Sequence, residues 1–216
     1  GIGLRLHWPE PVWHQSARVP RYRDAREILW KQGFLYPCSC SRADIRTAAS
    51  APQEGAPLLG PDGIVYPGTC RPSAPPRGPL PDTPLRLDMT RALTACTSIP
   101  DFVETGTGPD GRKGRIVPED MVRNVGDGAS YHLAIVCDDS DQGITHVIRG
   151  QDLFDATQIH VLLQHLLEFP VPLYHHHGLV RDESGKRLAK RDDAKAISKF
   201  RTAGASPEEI RRMVGL

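Results

Sequence analysis

Hydrophobic residues recur at helical spacing in two stretches of the chain. In "RYRDAREILWKQG" the apolar positions fall on one face, Pro20 suits the first helical turn and Gly33 suits a C-terminal cap. A second stretch with this spacing runs from Ala156 to Phe169. The pattern therefore predicts one helix over 19–32 and another within the second stretch.

Two apolar runs border the second predicted helix. Ile144 to Ile148 is rich in β-branched residues and flanked by glycines, and Leu173 to Val180 follows the helix. Strand, helix and strand in this order form the unit of a parallel sheet. Shorter strand patterns occur at 84–88 and 101–104, and the second is followed by a glycine-rich turn at 106–114. We therefore predict an α/β fold.

The segment 46–84 interrupts this pattern because it is dense in proline, glycine and alanine. It is predicted to be an insertion without regular structure. Near the end of the chain, Ser206, Pro207 and Glu209 form a capping-box arrangement. These residues predict a short last helix from 207 to about 214.

Composition narrows the possible functions. The 216 residues carry a formal net charge of +1, so no overall field marks the chain as a general nucleic-acid binder. The sequence contains no apolar run long enough for a membrane span and no charged segment followed by an apolar one, as in a secretion signal. We therefore expect a cytoplasmic protein. Five cysteines, an odd number, favour reduced thiols or a metal site over a disulfide framework.

Three of the cysteines are grouped with a tyrosine. Cys38 and Cys40 form a Cys-x-Cys pair, and Tyr66 and Cys70 occur together in "YPGTC". Three thiolates and one further donor can hold a tetrahedral zinc ion, with Tyr66 or a histidine as the fourth ligand. The alternative interpretation is three unrelated reduced thiols, since Cys-x-Cys is shorter than the usual zinc knuckle.

A basic loop, "GKRLAKR" at 185–191, follows the second strand of the predicted unit. Open α/β sheets gather ligands at the carboxyl ends of their strands. Four cations within 186–191 either stay solvated or face anions such as phosphate groups.

Two residues suit an acidic ligand. Arg149 ends the run "THVIRG", and a guanidinium can hold a carboxylate by two parallel hydrogen bonds. Tyr131 heads "YHLAIVCDD" and can orient a substrate through its hydroxyl. The simpler interpretations are a surface arginine that ends an edge strand and a tyrosine that packs in the core.

Two other groups of polar residues receive no functional role. Asp138 and Asp139 end an apolar segment, where acids commonly cap or solvate the end of an element. The histidines at 175–177 are consecutive on a predicted strand, so their side chains alternate between faces and form a poor chelating set.

Several of these segments together resemble a known family. "SYHLAIVCDD", "THVIRGQDL" and "GKRLAKR" resemble the second half of the active site of class I aminoacyl-tRNA synthetases, in the branch that activates glutamate. Cys-x-Cys followed by Tyr-x3-Cys resembles the zinc pattern of the glutamyl-queuosine tRNA(Asp) synthetases, which are shortened relatives of glutamyl-tRNA synthetase.

The resemblance implies a fold and a division of the chain. The fold would be a Rossmann-like parallel sheet with a zinc-containing connective insertion, and the first part of the nucleotide-binding half would be missing from this chain. The expected segments are the end of the first Rossmann half at 1–33, the insertion with its zinc site at 34–120, the second Rossmann half at 121–185, and the basic loop with C-terminal helices at 186–216.

The resemblance also implies residue roles. Arg187, Leu188, Ala189, Lys190 and Arg191 correspond to the "KMSKS"-type loop, and Lys190 would contact the ATP phosphates. Arginine replaces the first lysine of that motif and Ala189 removes a hydroxyl, a change expected to weaken loop closure.

Six further positions take roles from the family. The residues that would bind glutamate are Tyr131 and Arg149, and those that would bind structural Zn²⁺ are Cys38, Cys40, Tyr66 and Cys70.

The function implied is ATP-dependent activation of L-glutamate, with Mg²⁺, and transfer of the glutamyl group to queuosine in the anticodon loop of tRNA(Asp). A monomer is expected. Family members begin with a "HIGH"-like motif that this sequence lacks, so the chain alone is predicted not to activate glutamate. The alternatives are a truncated glutamyl-tRNA synthetase that charges tRNA(Glu) and a noncatalytic RNA-binding module whose fold is stabilised by zinc.

Overall fold

A computed structural model describes residues 10–49, 59–60, 63–98, 100–108, 111–117, 130–181 and 197–213. The chain forms two compact units, one spanning Gln15–His177 and the other combining Gly1–His14 with Gly178–Leu216. The four-segment division expected from the sequence stays a prediction. No helix in the described ranges is both long and apolar enough to pass through a membrane.

The larger unit contains helices and short strands. Its described helices are α1 (Val19–Lys31), α2 (Arg42–Ala49), α3 (Met89–Ala95), α4 (Ser130–Asp141) and α5 (Thr157–Leu166). Its described strands are β1 (Leu35–Pro37), β2 (Leu59–Gly60), β3 (Gly63–Ile64), β4 (Leu85–Leu87), β5 (Phe102–Glu104), β6 (Gly114–Ile116), β7 (His146–Gly150) and β8 (Leu173–His177). Two single turns of 3-10 helix lie at Gln15–Ala17 and Gln151–Leu153.

The smaller unit contains α6 (Ile197–Thr202) and α7 (Pro207–Met213). At the start of α7, Ser206 N donates to Glu209 Oε2 at 2.7 Å and Glu209 N donates to Ser206 Oγ at 3.2 Å. This reciprocal pair is a capping box, so the predicted last helix is confirmed together with its start signal.

The main sheet has the strand order β6-β5-β8-β7. Strands β7 and β8 are parallel, with His146 opposite Leu173 and Gly150 opposite His177, and α5 connects them. This confirms the predicted strand–helix–strand unit. The predicted parallel sheet is confirmed in part: β5, β8 and β7 are parallel, whereas β6 pairs antiparallel with β5. The connecting segment 105–113 is rich in glycine and shorter than the roughly dozen residues that a crossover between parallel strands needs, so these two neighbours are antiparallel.

Helix α5 packs on two sides, so nearly all of its side chains are buried, polar ones included. Leu162 and Ile159 pack into a core shared with α1 and α4. Val161 instead belongs to a cluster with Phe102, Phe154 and Tyr174. Phe102 meets the other two rings edge-on at centroid distances of 5.7 and 5.4 Å. The helix therefore joins the helical core to the sheet.

The acids at the end of α4 bind the start of α1. Asp138 accepts hydrogen bonds from the Tyr22 hydroxyl at 2.8 Å and from Arg18 Nε at 2.6 Å. Asp141 accepts from Arg21 Nε at 2.8 Å. The contacts agree with the structural role expected for Asp138, because they tie two helices of the core together.

Within the proline- and glycine-rich segment 46–84, the described residues 65–84 contain no helix or strand, as predicted, but other described parts are regular. Helix α2 extends into it to Ala49, and β2 and β3 form a small antiparallel hairpin. Farther along, Gly68 adopts a φ of +81°, and Arg71 N donates to Gly68 O at 2.8 Å. This turn needs glycine at its left-handed position.

Candidate functional site

Three cysteine thiols converge where β1 ends. The Sγ atoms of Cys38, Cys40 and Cys70 all lie within 4.8 Å of one another. Strand β1 pairs with β4, and Cys38 N donates to Pro84 O at 3.0 Å, which positions the first thiol. The turn closed at Gly68 brings Cys70 to the same place. The structure therefore gathers the three thiols that the sequence pattern grouped.

Tyr66 completes this cysteine cluster. Its hydroxyl lies 3.4 Å from Cys38 Sγ and 3.5 Å from Cys40 Sγ, and it accepts a hydrogen bond from Cys70 N at 2.8 Å. Within the described ranges, no histidine, aspartate or glutamate joins the three cysteines. Tyr66 rather than a histidine is therefore placed to act as the fourth donor.

The donor set fits a tetrahedral zinc ion. Zinc–sulfur bonds of about 2.3 Å place thiolates about 3.8 Å apart. Cys40 Sγ and Cys70 Sγ are 3.4 Å apart, so only small shifts would be needed. Tyr66 is the weakest of the four donors, because burial and the neighbouring thiols raise the pKa of its phenol.

Arg86 supports the cysteine cluster from outside. Its Nε donates to Cys38 Sγ at 3.0 Å, and its guanidinium lies 4.0 Å from the centre of the Tyr66 ring. Burial raises the pKa of Cys38, but the hydrogen bonds with Tyr66 and Arg86 outweigh burial and lower that pKa to about 7. The thiolate, which is the metal-binding form, is therefore favoured near neutral pH.

Arg149 lies at the end of β7 and is held by four acceptors. Its Nε donates to His176 Nε2 at 3.0 Å and its Nη1 to His160 Nδ1 at 3.0 Å. Its Nη2 donates to Thr157 Oγ1 at 2.6 Å and to Leu153 O at 3.3 Å. The structure therefore does not support the interpretation of a solvated surface arginine.

The contacts of Arg149 also limit how it can hold a ligand. Four of its five N–H groups are used, and only the second hydrogen of Nη1 has no partner among the described residues. For the predicted bidentate pair with a carboxylate, Arg149 would have to break one of its hydrogen bonds within the protein. The geometry favours a single hydrogen bond to a ligand, reinforced by charge.

The histidines that hold Arg149 continue into a buried row of polar side chains. His176 Nδ1 lies 2.5 Å from Glu104 Oε2, and His160 Nε2 lies 2.8 Å from His132 Nδ1. The other Glu104 oxygen, Oε1, accepts from His176 N at 3.0 Å and Gly106 N at 2.7 Å. We refer to Glu104, His176, Arg149, His160 and His132 as the buried row; the glutamate and the three histidines are almost wholly buried.

Burial sets the charge states along the buried row. It lowers the pKa of His160 to about 2, with help from the nearby Arg149 cation. It also lowers the pKa of His176, despite the hydrogen bond to Glu104. Burial raises the pKa of Glu104, but the hydrogen bonds from His176 and Gly106 outweigh it and lower that pKa. The row therefore holds one cation and one anion, with the neutral imidazoles of His160 and His176 beside them.

Tyr131 lies on α4 next to the start of the buried row. Its side chain is 54% exposed, so the alternative interpretation as a core residue is wrong. Its ring meets the His132 ring edge-on at 5.4 Å. Burial lowers the pKa of Arg149, and the nearby Tyr174, Tyr131, Asp139 and Asp152 partly offset this. The structure thus places Tyr131 in the neighbourhood of Arg149, with its ring accessible.

Comparison with known proteins identifies the family. Residues 116–216 match the family described as tRNA synthetases class I (E and Q), catalytic domain. A glutamyl-Q tRNA(Asp) synthetase from Rhodobacter capsulatus is 58% identical over 223 residues, covering 99% of this chain and 78% of the relative. The chain belongs to the glutamyl-Q tRNA(Asp) synthetase family.

A more distant relative has the same name, and two solved structures share the fold. The glutamyl-Q tRNA(Asp) synthetase from Symbiobacterium thermophilum is 38% identical over 94% of this chain, which spans only 61% of that relative's length. A glutamate-tRNA synthetase from Elizabethkingia anophelis has a TM-score of 0.52 at 22% identity, covering 87% of this chain and 39% of the other. A glutamate tRNA ligase from Elizabethkingia meningosepticum gives the same score and identity, with 38% of its chain covered. The two structures support the class I synthetase fold.

The family resemblance drawn from the sequence is therefore confirmed, whereas the residue roles stay predictions. The basic loop, with Arg187, Leu188, Ala189, Lys190 and Arg191, lies outside the described residues.

The buried row of this glutamyl-Q family member was not predicted from the sequence. The histidines of β8 were given no role because consecutive side chains on a strand alternate faces. That alternation is the signal that was available, since it places His176 on the same buried face as Tyr174.

Proposed function

We propose that this chain supplies the glutamate-binding side of an enzyme that activates L-glutamate with ATP and transfers it to queuosine in the anticodon loop of tRNA(Asp). The observation that carries the proposal is Arg149, a partly buried cation that no carboxylate of the described residues contacts. A buried charge without a direct counterion is costly unless it serves a ligand. The names of the relatives supply the identity of that ligand.

The chemistry follows from the charges. The carboxylate of the glutamate side chain would be bound by the remaining N–H of Arg149, with Tyr131 beside it. The α-carboxylate would attack the α-phosphate of ATP, pyrophosphate would leave, and a queuosine hydroxyl would then take the glutamyl group from the adenylate. Positioning and electrostatic stabilisation would supply most of the rate enhancement. Lys190 would contact the ATP phosphates, whose charge Mg²⁺ would also offset.

We infer that Cys38, Cys40, Tyr66 and Cys70 hold a structural Zn²⁺ ion. The ion would join the end of β1 to the turn at Gly68, in a segment with few apolar residues to bury. Zinc binding contributes folding free energy directly in such segments. The ion would have no part in the reaction itself.

The experiment that tests this function uses the full-length gene product and three RNA substrates. Labelled glutamate and ATP are supplied with queuosine-containing tRNA(Asp), queuosine-free tRNA(Asp) or tRNA(Glu). We expect label only on the first RNA, in a bond formed away from the 3′ end. Arg149→Leu should abolish the transfer, whereas Arg115→Leu, which changes an exposed arginine paired with Asp101, should not.

Two results would contradict the proposal. Labelling of tRNA(Glu) at its 3′ end would indicate a glutamyl-tRNA synthetase. Tight tRNA binding without glutamate-dependent ATP turnover would indicate a noncatalytic RNA-binding module. The monomeric state and the cytoplasmic location stay predictions.

A further inference from the structure

The hydrogen bonds of Arg149 determine which way every proton in the buried row points. A guanidinium can only donate, so His176 Nε2 and His160 Nδ1 must both be acceptors. A neutral imidazole that accepts on one nitrogen carries its proton on the other. His176 therefore donates from Nδ1 to Glu104, and His160 donates from Nε2 to His132.

His176 also separates the two charges of the row. Glu104 is the only carboxylate in the buried row, and it reaches Arg149 only through the imidazole of His176. The ring is held by its surroundings, because it stacks on Tyr174 at 6.0 Å with an interplanar angle of 7° and meets Phe154 at 5.1 Å. The distance between the Glu104 carboxylate and the Arg149 guanidinium is therefore set by the packed ring of His176 and not by a mobile side chain.

We infer that His176 is a positioning residue that orients Arg149 while keeping Glu104 out of direct contact with it, so that the guanidinium charge stays available to the substrate carboxylate. This inference rests on the proposed function of Arg149. A glutamate in direct contact would form a buried ion pair, and a ligand would then have to break that pair. A neutral imidazole supplies an acceptor for Arg149 without supplying a competing charge.

His160 supplies a second neutral acceptor, on the Nη1 side of the Arg149 guanidinium. It accepts from Nη1 of Arg149, the group whose second hydrogen has no partner among the described residues. His132 in turn accepts from His160, and His132 is adjacent to Tyr131 on α4. The two histidine branches thus fix the guanidinium plane from both sides without a second carboxylate.

Two isosteric substitutions of His176 separate its two contacts. In His176→Gln the side-chain oxygen can take the place of Nε2, so the acceptor for Arg149 is kept and the contact with Glu104 is lost. In His176→Asn the amide nitrogen can take the place of Nδ1, so the contact with Glu104 is kept and the acceptor for Arg149 is lost. The variants change the same buried ring, so each is the other's control for packing.

The readout is glutamate-dependent ATP–pyrophosphate exchange by the full-length gene product. We expect His176→Asn to raise the KM for glutamate about tenfold or more, with a smaller change in kcat. His176→Gln should stay within about threefold of the wild-type KM. The KM for ATP should not move in either variant. The same pair of changes at His146, on the exposed opposite end of β7, should leave all three constants unchanged.

A purely structural role for His176 gives a different result. Both variants would then melt at lower temperature and lose kcat through a smaller folded fraction, with an unchanged KM for glutamate. Equal KM values in the two variants would overturn the inference. An absence of glutamate-dependent exchange in the wild type would instead contradict the proposed function, and the inference with it.

A second measurement does not depend on turnover. Long-range ¹H–¹⁵N correlation spectra of the histidine rings distinguish the two neutral tautomers. We expect the Nδ1–H form for His176 and the Nε2–H form for His160 from pH 8 down to pH 6. An Nε2–H or doubly protonated His176 at pH 7 would contradict the positioning role, because the proton on Nε2 would face the guanidinium of Arg149.

Discussion

The cysteine cluster and the buried row differ in how far along the chain their members are separated. The four members of the cluster lie between Cys38 and Cys70, and their spacing can be recognised in the sequence. The row combines residues of β5, α4, β7, α5 and β8, from Glu104 to His176. A site carried by one chain segment can be found from spacing, whereas a site assembled by sheet pairing becomes visible only when the strands are aligned.

The largest expected effect is loss of the metal ligands. Cys38→Ser should abolish binding of one zinc ion and lower the free energy of unfolding by on the order of 4 kcal/mol, because structural zinc contributes to folding. At this size the loss corresponds to a melting temperature about 10 °C lower. Elemental analysis and thermal melts measure both quantities.

Cys96→Ser is the matched control for the zinc prediction. Cys96 lies outside the cluster, and its thiol donates to Ala92 O at 3.3 Å. It should keep the full zinc content. If the wild-type protein melts at the same temperature without zinc as with it, zinc has no structural role. Three unrelated thiols would then be the better interpretation.

The next effect concerns the anion of the buried row. Glu104→Gln should lower the free energy of unfolding by about 2 to 3 kcal/mol, since it removes a buried carboxylate and breaks its charged hydrogen bond with His176. Asp101→Asn, which removes a carboxylate from an exposed pair with Arg115, should cost less than about 1 kcal/mol. Urea unfolding measures both, and equal costs would show that the row is not electrostatically coupled.

A smaller effect should follow from changing the support of the cysteine cluster. Arg86→Gln removes the guanidinium that donates to Cys38 Sγ and covers the Tyr66 ring. We expect zinc affinity to fall about tenfold, as is common when a residue in contact with a metal ligand is changed. Competition with a chromogenic chelator measures the affinity. Unchanged affinity would show that Arg86 only packs against the cluster.

A last effect, which is small near neutral pH, is a pH dependence of stability. The folded pKa of His160 is about 2 because burial and Arg149 disfavour its charged form, whereas the unfolded chain takes up this proton near pH 6.5. The unfolded state therefore binds more protons as the pH falls, and stability present above pH 6.5 is progressively lost below it. The expected slope for this one histidine approaches about 1.4 kcal/mol per pH unit.

His160→Asn tests that assignment between pH 6.5 and pH 5. The asparagine oxygen can still accept from Arg149 but does not titrate, so the variant should show a flatter dependence of unfolding free energy on pH. His146→Asn, on an exposed part of β7, should keep the wild-type slope. An unchanged slope in His160→Asn would contradict a neutral, buried His160.

Much of the fold followed from local pattern. The spacing in α1, the run of strand, helix and strand ending at β8, and the capping box of α7 were all predictable, because each depends on residues a few positions apart. The cysteine spacing was informative for the same reason. The antiparallel pairing of β6 was not predicted, although the glycine-rich turn that causes it is visible in the sequence.

The surroundings of Arg149 were decided by tertiary structure alone. The sequence suggested this residue as a cation for an acidic ligand, and the alternation in β8 places His176 on a buried face. Neither pattern shows that Arg149 would contact His176, 27 positions away, or that His176 would contact Glu104, 72 positions away. Parallel pairing of β5, β8 and β7 brings the three side chains together, and packing of α5 adds His160. The sequence by itself indicated the cysteine cluster and Arg149 as candidate site residues. The tertiary structure determined which protons and charges face one another, because hydrogen bonding between distant strands leaves no periodic trace along the chain.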